Sequence, residues 1–214
     1  MVSLALKMLA SYLLGSVIGS LLVGRFKGGV DIRTMGSGNP GGTNALRTQG
    51  KAFAFWVMVI DVGKGVLATA VIAPLALPFA PDTLAPGWVA ALCGAAAVVG
   101  HVFPVWYEFR GGKGAATLIG VLSVIAPLAL VPVLTVFALV LMSSGYVGLS
   151  TMIATASLPL YALIAESQGA ASPLFAFGIA MTVFIVFTHR SNIARMRQGV
   201  EHRFEKAMLL RRRS

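Results

Sequence analysis

Polar positions are rare along this chain, and the apolar ones gather into long uninterrupted runs instead of alternating with a strand or helix period. The runs are Leu4–Val23, Phe53–Ala80, Gly87–Trp106, Ala115–Ala165 and Pro173–Thr188. A helix needs roughly 20 apolar residues to cross a hydrocarbon core about 30 Å thick. Four of the runs therefore predict one crossing each, the second with Pro74 and Pro78 near its far end. The first run could also be read as a cleavable signal. It lacks an A-x-A-like site, and Arg25 and Lys27 follow at once, so a retained helix is expected.

Charge orients the runs and settles the long middle one. Arg25, Lys27, Arg33, Arg47 and Lys51 stand against a single acid, Asp31, between the first two runs. Arg110 and Lys113 lie in the link at 107–113, and the tail from Arg190 holds eight basic residues. Basic loops stay cytoplasmic, so these three segments belong inside and the links around Asp82 and Glu166 outside. Ala115–Ala165 must then begin inside and end outside, which requires an odd number of crossings. Its 51 residues are too many for one, so three are expected, of about 15–17 residues, with breaks near Pro127–Pro132 and near Ser143–Gly148. The fold class is all-α, a polytopic membrane bundle of seven transmembrane helices, N-terminus outside and C-terminus cytoplasmic. Five crossings follow instead if the middle run holds a re-entrant piece. The 214 residues form a single membrane domain with a basic cytoplasmic tail from about residue 190.

Composition agrees. Only 11% of residues are charged and 57% are apolar, whereas soluble domains carry about a quarter charged. The net charge of +10 would suit a nucleic-acid binder, but the basic residues sit between spans and in the tail, where they face anionic lipid. No nucleic-acid partner is expected. Cys93 is the only cysteine and lies in an apolar run, so a disulfide within the chain is excluded, and neither a metal site nor a cofactor is expected. Gly15 and Gly19 with Ser16 and Ser20, and the run Gly94–Ala97, have the spacing of close helix contact.

Three segments on the inner face carry polar residues that a linker would not need. In Gly36–Arg47, four glycines in seven positions let the backbone turn its N–H groups toward one point. Ser37, Asn39, Thr43 and Asn44 add short hydrogen-bonding groups, and Arg47 a planar fork for phosphate. Gly100–Pro104 contains His101 and is followed by Gly111-Gly112-Lys113-Gly114, the general plan of a phosphate loop at a helix N-terminus without Walker A spacing. His189 and Asn192 are three apart and share one side of a helix end, with Gly199 and Glu201 beyond. Asp61 and Lys64 are also three apart within the second run, a spacing that suits mutual charge neutralisation.

Taken in order, Ser37-Gly38-Asn39 to Thr43-Asn44 and Arg47, His101-x-Phe103-Pro104 with Gly111 to Gly114, and His189-Arg190-x-Asn192-Ile193 with Glu201 resemble the bacterial acyl-phosphate:glycerol-3-phosphate acyltransferases over nearly the whole chain. The resemblance implies transfer of a fatty acyl group from acyl phosphate to the 1-hydroxyl of sn-glycerol 3-phosphate, giving lysophosphatidate and inorganic phosphate. It implies Ser37, Arg47, His189 and Asn192 as catalytic residues. It implies substrate and phosphate binding by Gly38, Asn39, Thr43, Asn44, Gly111, Gly112, Lys113 and Gly114, with Ser150 a further candidate and His101 and Glu201 structural. It also implies a multi-pass protein of the bacterial inner membrane, in contact with membrane lipid, active at the cytoplasmic face, and linked in function to a peripheral enzyme that makes acyl phosphate.

An acyl phosphate is already an activated anhydride, so no acyl-enzyme is needed, and the proton of the attacking hydroxyl goes to His189 or to a phosphate oxygen. Acyltransferases that use thioesters carry H-x-x-x-x-D, and none of His101, His189 or His202 has Asp five residues on. Three scattered aspartates do not suit a metal-dependent alcohol phosphotransferase. A transporter for a phosphorylated solute is the non-enzymatic rival. It predicts polar groups deep in the spans and an internal repeat.

Overall fold

The computed structural model describes residues 1–78 and 81–209. Among these are ten α-helices and short 3₁₀ turns, and no strand. By length and composition four helical spans can cross a membrane, Lys51–Ile72, Pro86–Tyr107, Pro127–Ser144 and Val147–Ala165, and six if two sharply bent helix pairs each count as one. The chain divides into two compact units, Met1–Ile125 and Ala126–Ser214.

The first unit holds α1 (Val2–Gly15), α2 (Gly19–Phe26), α3 (Gly42–Gln49), α4 (Lys51–Leu67), α5 (Pro86–Val102) and α6 (Ala115–Ile125). The first apolar run is not one straight helix. It bends by 46° between α1 and α2. Ser16 and Val17 close the end of α1 onto Tyr12 O and Leu14 O, and Ile18 is extended. Helices meet at backbone distance through glycine. A Cβ on Gly15 would strike Ala97 O, one on Gly100 would strike Tyr12 O, one on Gly65 Thr117 O, and one on Gly120 Val62 O. The small residues at Gly15 and Ala97 are packing residues, as their spacing predicts.

The second run ends earlier than predicted. After Leu67 the helix widens into one π turn, Ala68–Ile72, in which Ala73 N bonds Ala68 O, and it does not continue to Ala80. Ala73 is still helical, at φ -59° and ψ -47°, but Pro74 has no N–H with which to continue the ladder. Phe79 and Ala80, the last residues of the predicted run, lie outside the described residues.

The second unit holds α7 (Leu130–Ser144), α8 (Val147–Ala165), α9 (Pro173–Thr188) and α10 (Arg190–Arg197). Ala115–Ala165 does divide into three helices, at Ala126 and at Gly145–Tyr146, but unevenly: 11, 15 and 19 residues. Gly145 is left-handed at φ 75° and closes α7. Pro159 interrupts the hydrogen bonding of α8 and would leave Thr155 O without its i+4 donor. The Thr182 hydroxyl of α9 lies 3.2 Å from that oxygen, and Gly178 lets α9 approach Pro159 closely. α9 and α10 meet at a 53° bend on His189. The predicted tail positions 210–214 lie outside the described residues.

Candidate anion-binding loops and the histidine bend

In the first unit, the segment from Asp31 to Gly41 is a loop held from inside. Asp31 accepts from Arg33 N at 2.9 Å and from the Arg33 guanidinium at 2.7 Å. These hydrogen bonds hold the Asp31 carboxyl below the usual range for an aspartate. The buried Asn44 amide does most of the shaping. Its oxygen accepts from Ser37 N, and its nitrogen donates to Ile32 O and Met35 O, each at 3.0 Å. Gly36 is left-handed, and a Cβ there would collide with the Asn44 amide, so only glycine fits. Asn44 therefore spends its side chain on the loop. Ser20 of α2 donates to Pro40 O at 2.8 Å and fixes the far arm. The loop runs into α3, whose N-cap, Gly41, provides no side-chain cap. An uncapped helix start leaves its first-turn amides without intrahelical partners. Ser37, Gly38, Thr43 and Arg47 are exposed, and Asn39 is half-buried.

The second loop folds back on the end of α5. Gly112 N bonds His101 O at 3.0 Å and Gly111 N bonds Val102 O at 3.1 Å. Glu108 and Phe109 are both left-handed, at φ 55° and 58°, an unusual pair for residues with a Cβ. Gly114, at φ 88°, turns the chain into α6. Gly112 and Gly114 are buried, and Gly111 and Lys113 half-buried. The two loops are neighbours: the Arg33 guanidinium lies 6.0 Å from the Tyr107 ring centroid. His101 is buried beneath the second loop, where a Cβ on Gly112 would meet its Nε2 edge. Asp61 and Lys64 are an ion pair at 3.0 Å, as their spacing predicts, and His101 joins them, Nδ1 to Nζ at 2.7 Å.

In the second unit, His189 sits at the α9–α10 bend and is buried with Asn192. Nδ1 faces Ile185 O at 2.8 Å. A carbonyl only accepts, so Nδ1 carries the hydrogen and Nε2 the basic lone pair. Asn192 donates to one oxygen of Glu201 at 2.8 Å, while Arg195 donates to the other at 2.6 Å. Glu201 thus pins the Asn192 amide. Gly148 leaves room for that amide, since a Cβ would come within 3.0 Å of it. Ser150 is fully buried and donates back to Tyr146 O at 2.8 Å, an internal bond of α8.

Each unit thus gathers its own share of the predicted residues: the Gly36–Arg47 and Gly111–Gly114 loops in one, His189, Asn192, Ser150 and Glu201 in the other. Sequence reasoning read Ser20 only as a helix-contact residue and did not single out Tyr107 or Arg195. Of these only Arg195 carried a local signal, a cation one turn from Asn192 on α10.

The family model described as glycerol-3-phosphate acyltransferase matches residues 5–199. A glycerol-3-phosphate acyltransferase of Geotalea daltonii is 38% identical over 198 residues, 92% of this chain and 96% of the relative. A solved structure of the integral membrane glycerol 3-phosphate acyltransferase PlsY, in its glycerol 3-phosphate form, superposes with TM-score 0.79 at 31% identity, covering 94% of this chain and 96% of that one. The lysophosphatidic acid form gives TM-score 0.78 at 29% identity, covering 96% and 98%.

Proposed function

The chain belongs to the glycerol-3-phosphate acyltransferase family, and from that premise we propose that it acylates glycerol 3-phosphate with acyl phosphate as the donor. The activity itself, acylation of glycerol 3-phosphate to lysophosphatidic acid by a multi-pass membrane enzyme, follows from the family and the two solved relatives. The chemistry of the loops supports the donor. The observation that carries it is a pair of neighbouring glycine-bent loops in one unit, each running into a helix N-terminus, with Ser37 and Lys113 upon them and Arg47 on the helix that the first one enters. Two anion seats suit two phosphate-bearing reactants.

In this reading the Gly36–Arg47 loop holds the acyl phosphate, Ser37 donating to it and Arg47 pairing with its phosphate beside Gly38, Asn39 and Thr43. The Gly111–Gly114 loop holds glycerol 3-phosphate, with Lys113 as counter-charge. The 1-hydroxyl oxygen attacks the acyl carbonyl carbon, the carbon–oxygen bond to phosphate breaks, and inorganic phosphate leaves with the bonding pair. The hydroxyl proton passes to Nε2 of His189 or to a phosphate oxygen. Holding two reactants in attack geometry lowers the barrier by up to ~7–11 kcal/mol in the most favourable cases. Asn44 and Ser150 act through the backbone they hold, and Glu201 through Asn192.

The topology proposed with it has seven crossings, the N-terminus outside and the tail cytoplasmic. It counts the bent α1–α2 and α9–α10 pairs and the short α6 as crossings. The basic loops support the orientation, in which both anion loops lie at the cytoplasmic face of the inner membrane. A peripheral enzyme there would supply acyl phosphate.

The test is release of inorganic phosphate from palmitoyl phosphate by purified protein, with and without glycerol 3-phosphate. Release that depends on the acceptor, with matching lysophosphatidate, is expected. Equal acylation from palmitoyl-CoA would overturn the donor. His189→Gln is expected to lower kcat by about 10²–10⁴-fold if the imidazole takes the proton, and normal turnover would assign the proton to phosphate.

A further inference from the structure

Lys64 is buried in α4, and its three N–H donors all have acceptors: Val17 O at 2.7 Å, His101 Nδ1 at 2.7 Å and Asp61 Oδ1 at 3.0 Å. With Lys64 as the ammonium, Nδ1 accepts from it and the ring hydrogen lies on Nε2, the edge against Gly112; Nδ1 also lies 3.4 Å from Asp61 Oδ1. Asp61 in turn accepts from Gly19 N at 3.1 Å. Val17 O and Gly19 N are two of the backbone groups at the bend between α1 and α2, and the ion pair takes both. One positive and one negative charge, each fully buried, leave the cluster neutral.

Two arms lead outward from it. His101 runs from Lys64 to the underside of Gly112 in the second loop. From Gly19 the chain passes at once to Ser20, whose hydroxyl grips Pro40 O in the first loop. We propose that Asp61, Lys64 and His101 form a positioning centre that sets both anion loops of the first unit, His101 placing the glycerol 3-phosphate loop and Ser20 the acyl-phosphate loop. None of the three touches a reactant. Each acts by fixing a backbone carbonyl or a glycine against which a loop rests. The division of substrates rests on the loop assignment proposed above, and the centre itself does not.

The test measures separate Michaelis constants for palmitoyl phosphate and glycerol 3-phosphate, per mole of protein that elutes monodisperse in detergent. His101→Asn places an amide where Nδ1 lies and withdraws the ring edge from Gly112. It is expected to raise KM for glycerol 3-phosphate about tenfold while leaving that for palmitoyl phosphate unchanged. Ser20→Ala is expected to do the reverse, by about fivefold. Both constants staying within about twofold of wild type in the two variants overturns the positioning centre. Shifts that occur with the substrates exchanged uphold the centre and overturn the loop assignment. If His101→Asn does not elute monodisperse, Ser20→Ala decides alone: unchanged constants overturn the proposal, and a rise in one of the two supports it.

Discussion

Two lysines are buried in the first unit, and they serve different ends. Lys7 of α1 donates to Ala73 O at 2.8 Å, just past the π turn, and pairs with Asp82 from the following loop. Lys64 of α4 donates to Val17 O at a helix bend and pairs with Asp61 from its own helix. In both places an ammonium inside an apolar helix satisfies a carbonyl that a helix end leaves without its usual donor. Their carboxylates differ. Asp82 is 33% exposed, whereas Asp61 is fully buried and has a second oxygen with no hydrogen-bond partner. They also differ in reach: Lys7 ends in a tie between helix and loop, and Lys64 continues through His101 to the glycine loop. A buried charge in a membrane helix invites a functional reading by default. In the arrangement proposed above, a third partner that touches a working loop is what separates a fastening from a participant.

Substitutions sharpen the contrast. Lys64→Met should have the largest effect, because it leaves the buried Asp61 carboxylate unpaired, at a cost of about 3–5 kcal/mol. Thermal unfolding in detergent should show a large fall in Tm, with activity lost in parallel. Adding Asp61→Asn removes both charges together and should restore most of the Tm, since a buried pair replaced as a whole is close to neutral. Both Michaelis constants should nevertheless stay raised, and their return to wild type along with Tm would reduce Lys64 to the role of Lys7. Lys7→Met should lower Tm by less, because Asp82 reaches water, and should leave kcat and both Michaelis constants alone.

The smallest effect is in pH. Hydrogen bonds from Lys7 and Ser3 hold the Asp82 carboxyl below the ordinary value of 3.8. A depressed carboxylate adds stability that is present above its unfolded pKa and is lost as pH falls through the folded one. The Tm gap between wild type and Asp82→Asn should therefore be full at neutral pH and close as the solution is acidified below about pH 4. A gap that persists in strong acid would show that the tie does not depend on the charge.

Much of the fold was legible because the interruptions were chemical. Pro127 and Gly145 mark the two breaks of the middle region, and the Pro86 and Pro173 starts of α5 and α9 follow the preference of proline for the first helical turn. The bend at Ser16–Ile18 was not legible. Its residues are apolar or small, and the groups that make it tolerable, Asp61 and Lys64, lie more than forty positions on. The short α3 was hidden for a similar reason: eight residues with five polar side chains carry no apolar period, and what holds them is Ala45 packing beside Ile32, Phe53 and Val57 together with the buried Asn44 amide.

At the site, residue types were readable and tasks were not. Asn44 has the look of a ligand-binding amide in sequence, yet all its bonds go to the loop it stands beside. Ser150 likewise turns inward. His101 could be marked as structural from its motif, but the ring that joins an ion pair to Gly112 exists only once α4, α5 and the loop are assembled. Such tertiary placement leaves no local periodicity to read.

The glycine crossings carry one more consequence. Where a carbonyl rests in the space of a missing methyl, as at Gly15, Gly65, Gly100 and Gly120, a helix displaced along its neighbour by one residue would drive a side chain into main chain. Such a framework has a single notch and no gradual slide. Gly50, at φ 84° with open space around it, joins the arginine-bearing α3 to α4 outside those crossings and is free of that constraint.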